Sequence, residues 1–167
     1  MSLPLETERL VLREFAADDA PEVARAFADP EVIWWDPAPF SLPSADSWVA
    51  RAREGYAATG MGLYAVLLRA DGRLIGDCGL VARVIEGAAV VEIGWHLERA
   101  AWGHGYATEA ARGVLAHAAG LGLSRVCALI EAGNVRSRRV ANKLGMEIDR
   151  KVEWGGRPHD LWMLDLG

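Results

Sequence analysis

The chain has 167 residues, 51% of them hydrophobic and 25% charged, with a formal net charge of -5. That length suits one domain with a sizeable core, and no window nears the roughly 18 uninterrupted apolar residues of a membrane span. Net acidity argues against general nucleic-acid binding, which rests on cationic contacts to phosphate.

Residues 1–6 (MSLPLE) lack the basic-then-apolar layout of a secretory signal, so the expectation is a cytoplasmic protein. Cys78 and Cys127 sit in apolar, strand-like runs without metal-ligand or Cys-x-x-Cys spacing. They read as buried thiols, with no metal site and no disulfide framework.

Leu10 to Phe15 (LVLREF) alternates as a strand does, and Asp18 followed by Pro21 predicts the cap and first turn of a helix ending by Pro30. The Pro-rich stretch from Asp36 to Pro43 reads as a loop, too short to separate domains. Ser44 is placed to cap a second helix to about Thr59. Leu63 to Arg69 is a strand, Asp71-Gly72 a hairpin turn, Leu74 to Arg83 its partner and Ala88 to Leu97 a third antiparallel strand. From Ala107, small and apolar residues recur at 110, 111, 114, 115, 118 and 119, the spacing of one buried helix face, until Gly120 and Gly122. Arg125 to Glu131 (RVCALIE) is β-type, and the strand-helix-strand unit it completes should pair in parallel. A helix from about Asn134 to Leu144 stops at Gly145. Strands at about Met146–Trp154 and His159–Leu166 flank Gly155-Gly156. This predicts one α+β domain over residues 1–167, with a mixed, mostly antiparallel sheet of about seven strands and about four helices.

Gly103 and Gly105 stand where the third antiparallel strand gives way to the alanine-rich helix. Without Cβ atoms, the turn lets the backbone N–H groups of residues 103 to 108 approach a ligand closely. Those donors have no intrahelical partner, and the helix dipole adds to them, so an anion such as phosphate is favoured. A P-loop would need Gly-Lys-Ser/Thr where the chain has Gly-Tyr-Ala-Thr, and a dinucleotide fingerprint would need Gly or Ala where it has Thr108. By itself the turn is equally consistent with a tight connection holding no ligand.

Three segments carry a resemblance: EIGW at Glu92–Trp95, WGHGYATEA at Trp102–Ala110 and EAGNVRSRRVANKLG at Glu131–Gly145. They resemble the GNAT superfamily of N-acetyltransferases, and with LETERLVLR at Leu5–Arg13 the chain is similar to its ribosomal-protein (RimJ/RimL-like) branch. The resemblance implies acetyl-CoA as cosubstrate, no metal, and an amine acceptor, either a peptide or protein N-terminus or a small amine. A homodimer stays open. It implies that Trp102, Gly103, His104, Gly105, Tyr106, Ala107 and Thr108 surround the coenzyme A pyrophosphate, with Trp102 standing where the family has Gln or Arg. Asn134 would meet the pantetheine arm, Ser137 would lie near the thiol, and the backbone of Leu97 would hold the thioester carbonyl.

Direct transfer to an amine needs a neutral amine, a donor to the developing oxyanion and a proton for the departing thiolate. Glu92 falls where family members often carry a catalytic glutamate. His96, four residues on and on the same strand face, is the other candidate base. Ser137 is the candidate proton donor, since the position where many members have a tyrosine is Ala141. Arg136, Arg138, Arg139 and Lys143 form a cationic patch, and RNA contact there is a weaker option. Trp34, Trp35, Phe40, Trp48, Tyr56 and Tyr64 concentrate aromatic residues in the early segment, each consistent with the core or with an apolar wall around the acceptor, and Trp34 and Trp35 are the residues assigned to the acceptor. A coenzyme-A-binding module without turnover is one rival. An aminoglycoside, polyamine or other small-molecule acetyltransferase is another; an aminoglycoside acceptor would need an acidic cleft, for which Asp29, Glu31 and Asp36 are available.

Overall fold

The computed structural model describes residues 3–167; Met1 and Ser2, the first residues of the stretch read for a secretory signal, lie outside the described residues. Its strands and helices in chain order are β1 (Leu5–Glu6), β2 (Leu10–Arg13), α1 (Ala20–Ala26), α2 (Leu42–Thr59), β3 (Leu63–Leu68), β4 (Leu74–Ile85), β5 (Ala88–Leu97), α3 (Tyr106–Gly120), β6 (Arg125–Ile130), α4 (Val135–Lys143), β7 (Glu147–Trp154) and β8 (Arg157–Asp165). Short 3-10 turns at Ala17–Asp19 and Arg99–Ala101 precede α1 and α3.

The strands form one eight-stranded sheet in the order β1-β2-β3-β4-β5-β6-β8-β7. Every pairing is antiparallel except that of β5 with β6. The eighth strand is β1, whose two residues are too few to show an alternating pattern. Helix α2 begins at Leu42 because Ser41, not Ser44, is its extended cap; the Ser44 hydroxyl instead accepts the Ser41 N–H at 3.3 Å. Asp19, not Asp18, holds the entry to α1, accepting from Ala16 N at 2.8 Å while paired with Arg13.

Two layers cover the sheet. Ala110, Ala111, Val114 and Ala118 of α3 are fully buried in one cluster with Ile75, Leu80 and Ile93, their short side chains letting helix and sheet approach closely. A second cluster places Val23, Phe27, Ala45 and Val49, in and beside α1 and α2, with Phe15, Ala65 and Leu74. Burying each large apolar side chain contributes roughly 1.5–3 kcal/mol. The packing fixes β4 from both sides, and β4 with its neighbour β5 carries the chemistry described next. Among the described residues, no helix is long and apolar enough to cross a membrane.

Candidate active site

The glycine turn has the geometry its residues predict. Gly103 and Gly105 take φ of +79° and +80°, the left-handed region, and Gly105 is the residue capping α3. A Cβ on Gly103 would meet open space, so the backbone there is accessible. Arg9 supports the turn from 95 residues away: its Nη1 donates to His104 O at 2.9 Å, its Nε donates to Glu109 at 2.7 Å, and its Cζ lies 4.5 Å from the Tyr106 ring centre. A side-chain cation therefore reaches a turn whose sequence contains none.

Glu109 also accepts from Thr7 Oγ1 at 2.6 Å and Arg9 N at 2.7 Å. Burial pushes its pKa up, but the hydrogen bonds from Thr7 and Arg9 and the Arg9 charge outweigh burial and hold it below the ordinary value of 4.5. A folded-state pKa that is depressed adds stability above the unfolded pKa, and that stability is lost as pH falls through the folded one. Glu109→Gln should therefore melt below the native chain at pH 7, with the gap narrowing as pH drops under about 4.5 in thermal melts. A gap constant from pH 7 to pH 3 would show that the charge is not what matters.

Strands β5 and β6 meet at one register pair, Glu92 with Cys127, and part beyond it. A cleft of about 1110 Å³ is lined by Ile93 to Leu97 on one side and Ala128 to Glu131 on the other, so it enters the sheet between them. Gly103, Gly105, Tyr106, Ala107 and Thr108 line the same cleft, as do Asn134 and Ser137 at the start of α4. Asn134 caps α4, its Oδ1 accepting from Ser137 N at 3.1 Å. His104 does not line the cleft; its ring stacks on Tyr106 with centroids 5.5 Å apart. Trp102 replaces the lost polar side chain with a different tie, its Nε1 donating to Leu97 O at 2.8 Å. The Arg136 guanidinium covers the Trp102 ring at 3.8 Å, joining the turn to α4.

Two candidate bases stand on one face of β5 in different company. Glu92 accepts from Arg83 Nε at 2.7 Å, so its carboxylate is already paired. His96 Nδ1 lies 2.7 Å from Asp77 Oδ1, and Asp77, 0% exposed, accepts from Trp48 Nε1 at 2.7 Å with its other oxygen. Against an acceptor-only carboxylate, Nδ1 carries the imidazole proton and Nε2 is left as the acceptor nitrogen. The His96 side chain is 22% exposed and lines the cleft. Sequence reasoning missed Asp77. Its signal was one acidic residue in the apolar run LIGDCGLV, and its meaning depends on strand register, which sets Asp77 directly opposite His96.

Aromatic rings wall this end of the cleft. The Trp48, Trp35 and Phe27 rings lie 5.2, 5.4 and 6.2 Å from the His96 ring. Trp34 and Trp35 both line the cleft, each 39% exposed. Two of the early aromatics take the core reading: Tyr64 is fully buried, and Tyr56 stacks on it at 5.7 Å. Phe40 packs edge-on against Phe27. The basic patch also divides, with Arg136, Arg139 and Lys143 lining the cleft while Arg138 turns to Asp160 at 2.6 Å.

Neither cysteine offers the site a thiolate. Burial pushes the Cys78 thiol well above its ordinary range. Burial, and then the nearby Glu92 charge, push Cys127 up to about 12. Among the described residues no cluster of His, Cys, Asp and Glu could hold a metal ion.

A parallel pair that parts beside a glycine turn at a helix N-terminus defines an α+β protein shaped for an extended carrier with an anionic end. Residues 9–147 match the acetyltransferase (GNAT) domain, and the chain belongs to that family, whose activity is acetyl-CoA-dependent acetyl transfer. At 33% identity over 159 residues it is similar to the uncharacterized protein YkkB of Bacillus subtilis (strain 168), the match covering 92% of this chain and 91% of YkkB. It is 28% identical over 169 residues to the uncharacterized N-acetyltransferase p20 of Bacillus licheniformis, covering 97% of this chain and 94% of p20. Among solved structures, the acetyltransferase from Agrobacterium tumefaciens str. C58 shares the fold with a TM-score of 0.82 at 27% identity, over 98% of this chain and 95% of that one.

Proposed function

We propose that the chain is an N-acetyltransferase that moves an acetyl group directly from coenzyme A to a primary amine, with His96 as the base and Asp77 positioning it. The observation that carries this reading is the Asp77–His96 contact of 2.7 Å at the wall of the cleft. The opening LETERLVLR supports placing it in the RimJ/RimL-like branch, a statement of descent that leaves the acceptor open.

The accessible amides of residues 103 to 108, with Arg136, Arg139 and Lys143 nearby, suit an anionic carrier. Acetyl-CoA supplies the activated acyl carbon and a thiolate leaving group. His96 Nε2 takes one proton of the incoming ammonium, the freed nitrogen pair forms the C–N bond as the C–S bond breaks, and the second nitrogen proton, released as the amide forms, goes to the departing thiolate by way of the Ser137 hydroxyl. The parted end of β5 near Leu97 offers backbone donors to the developing oxyanion. Ser137, half-buried at the α4 end of the cleft, is placed to return a proton to the thiolate. Glu92, paired with Arg83, acts as a neighbouring charge rather than as the base.

Free thiol should appear when the purified protein is incubated with acetyl-CoA and a panel of primary amines. Stabilisation by coenzyme A without thiol release from any amine would leave a binding module instead. Gly103→Ala should raise the coenzyme A Kd about tenfold in calorimetry while lowering Tm by only a few degrees, because a Cβ at φ of +79° costs about 1–2 kcal/mol and projects where the anion sits. An unchanged Kd would remove the turn from the carrier site.

A further inference from the structure

Charge in the acceptor half of the cleft runs against that of the acidic chain. Its carboxylates, Glu31, Glu92 and Glu131, are already paired. Arg99 lies 3.1 Å from Glu31, Arg83 2.7 Å from Glu92 and Arg157 3.4 Å from Glu131. Asp36, the other acid of the early segment, is exposed and does not line the cleft; its Oδ1 accepts from Ala38 N at 2.9 Å. A polyamine or aminoglycoside would find no unpaired carboxylate lining the cleft and would face guanidinium groups.

The cations lie on indoles. Arg157 is 5.6 Å from the Trp34 ring, Arg83 5.4 Å from Trp154 and Arg51 5.7 Å from Trp48. Arg51, exposed on α2, lines the cleft and has no ion pair among the described residues. Trp48 stands between it and the candidate base, its ring 5.2 Å from the His96 ring. Arg157 at the start of β8 and Trp34 before α2 both line the cleft and touch each other, which leaves less room for a folded chain end than for a small acceptor.

We propose that the acceptor is a small primary amine on an aromatic or apolar body with an anionic group, carboxylate or phosphate, at the far end. Its amine meets His96, its body lies along Trp48 and Trp35, and Arg51 receives the anion through its planar fork. This rests on the acetyltransferase reading above, but binding tests it independently of turnover.

Calorimetry on the protein saturated with coenzyme A would compare tyramine, tyramine O-phosphate, 4-(2-aminoethyl)benzoate, spermidine, kanamycin and a decapeptide beginning with Phe, with thiol release measured in parallel. At least one of the two anionic amines should bind tenfold or more tighter than tyramine, and spermidine, kanamycin and the peptide more weakly than either. Arg51→Gln should bring the affinity ratio of anionic to neutral amine to about one, and the tighter of the two anionic amines identifies the group. Equal or tighter binding of spermidine, kanamycin or the peptide overturns the proposal, as does an unchanged ratio in Arg51→Gln or no binding by any amine. Ranked binding without thiol release would uphold the proposed ligand class and instead refute turnover.

Discussion

His96→Gln should lower kcat by about 10²–10⁴ while leaving coenzyme A affinity near that of the native enzyme, because the amide still forms hydrogen bonds but takes up no proton. Asp77→Asn should cost a similar amount by another route. The Trp48 Nε1–H needs an acceptor, so the Asn oxygen turns to it and the NH₂ faces His96 Nδ1. The imidazole must then accept at Nδ1 and carry its proton on Nε2, the nitrogen the amine has to meet. Nitrogen-15 spectra of the ring would report that tautomer change, which a merely structural role for Asp77 would not produce. Glu92→Gln is the comparison: a larger kcat loss there than in His96→Gln would hand the base to Glu92, and native kcat in His96→Gln would remove His96 from the reaction.

What the sequence disclosed followed the range of the interactions. The glycine turn, the alanine face of α3 and the Asn134 cap are set by residues within a few positions of one another, and the structure has all three. Trp34 and Trp35 are each 39% exposed and line the cleft, while their neighbours Val32 and Ile33 fill the buried cluster beneath α1 and α2. Arg9 was invisible as a support of the turn because its partners are 95 and 100 residues away and meet it only once β1 and β2 lie beside α3. Asp77 was closer to reach. The turn at Glu86-Gly87 pairs Ile85 with Ala88, and following that register back along β4 sets Asp77 against His96. With the hairpin register left open, that arithmetic could not be done, and His96 stood without its partner.

Gly76→Ala should be among the most damaging single changes to this site, although it touches no substrate. Gly76 precedes Asp77 on β4 and pairs with Leu97 at φ of +152°. A Cβ there would lie 2.0 Å from the His96 carbonyl oxygen and 2.8 Å from Leu97 Cα, both backbone atoms in the middle of the sheet with no freedom to rotate away. The two strands would have to separate by more than 1 Å, a distortion that costs about 3 kcal/mol or more and lowers Tm by about 10 °C in a chain of this size. The same separation carries His96 away from Asp77, so kcat should fall further than the loss of folded protein explains. Gly72→Ala is the control, since Gly72 at φ of +72° has no atom within 4 Å of its would-be Cβ and should lower Tm by only a few degrees with kcat intact. Equal melting shifts in the two variants, or native kcat in Gly76→Ala, would mean that the close approach of β4 to β5 is not what sets the His96 imidazole in the cleft.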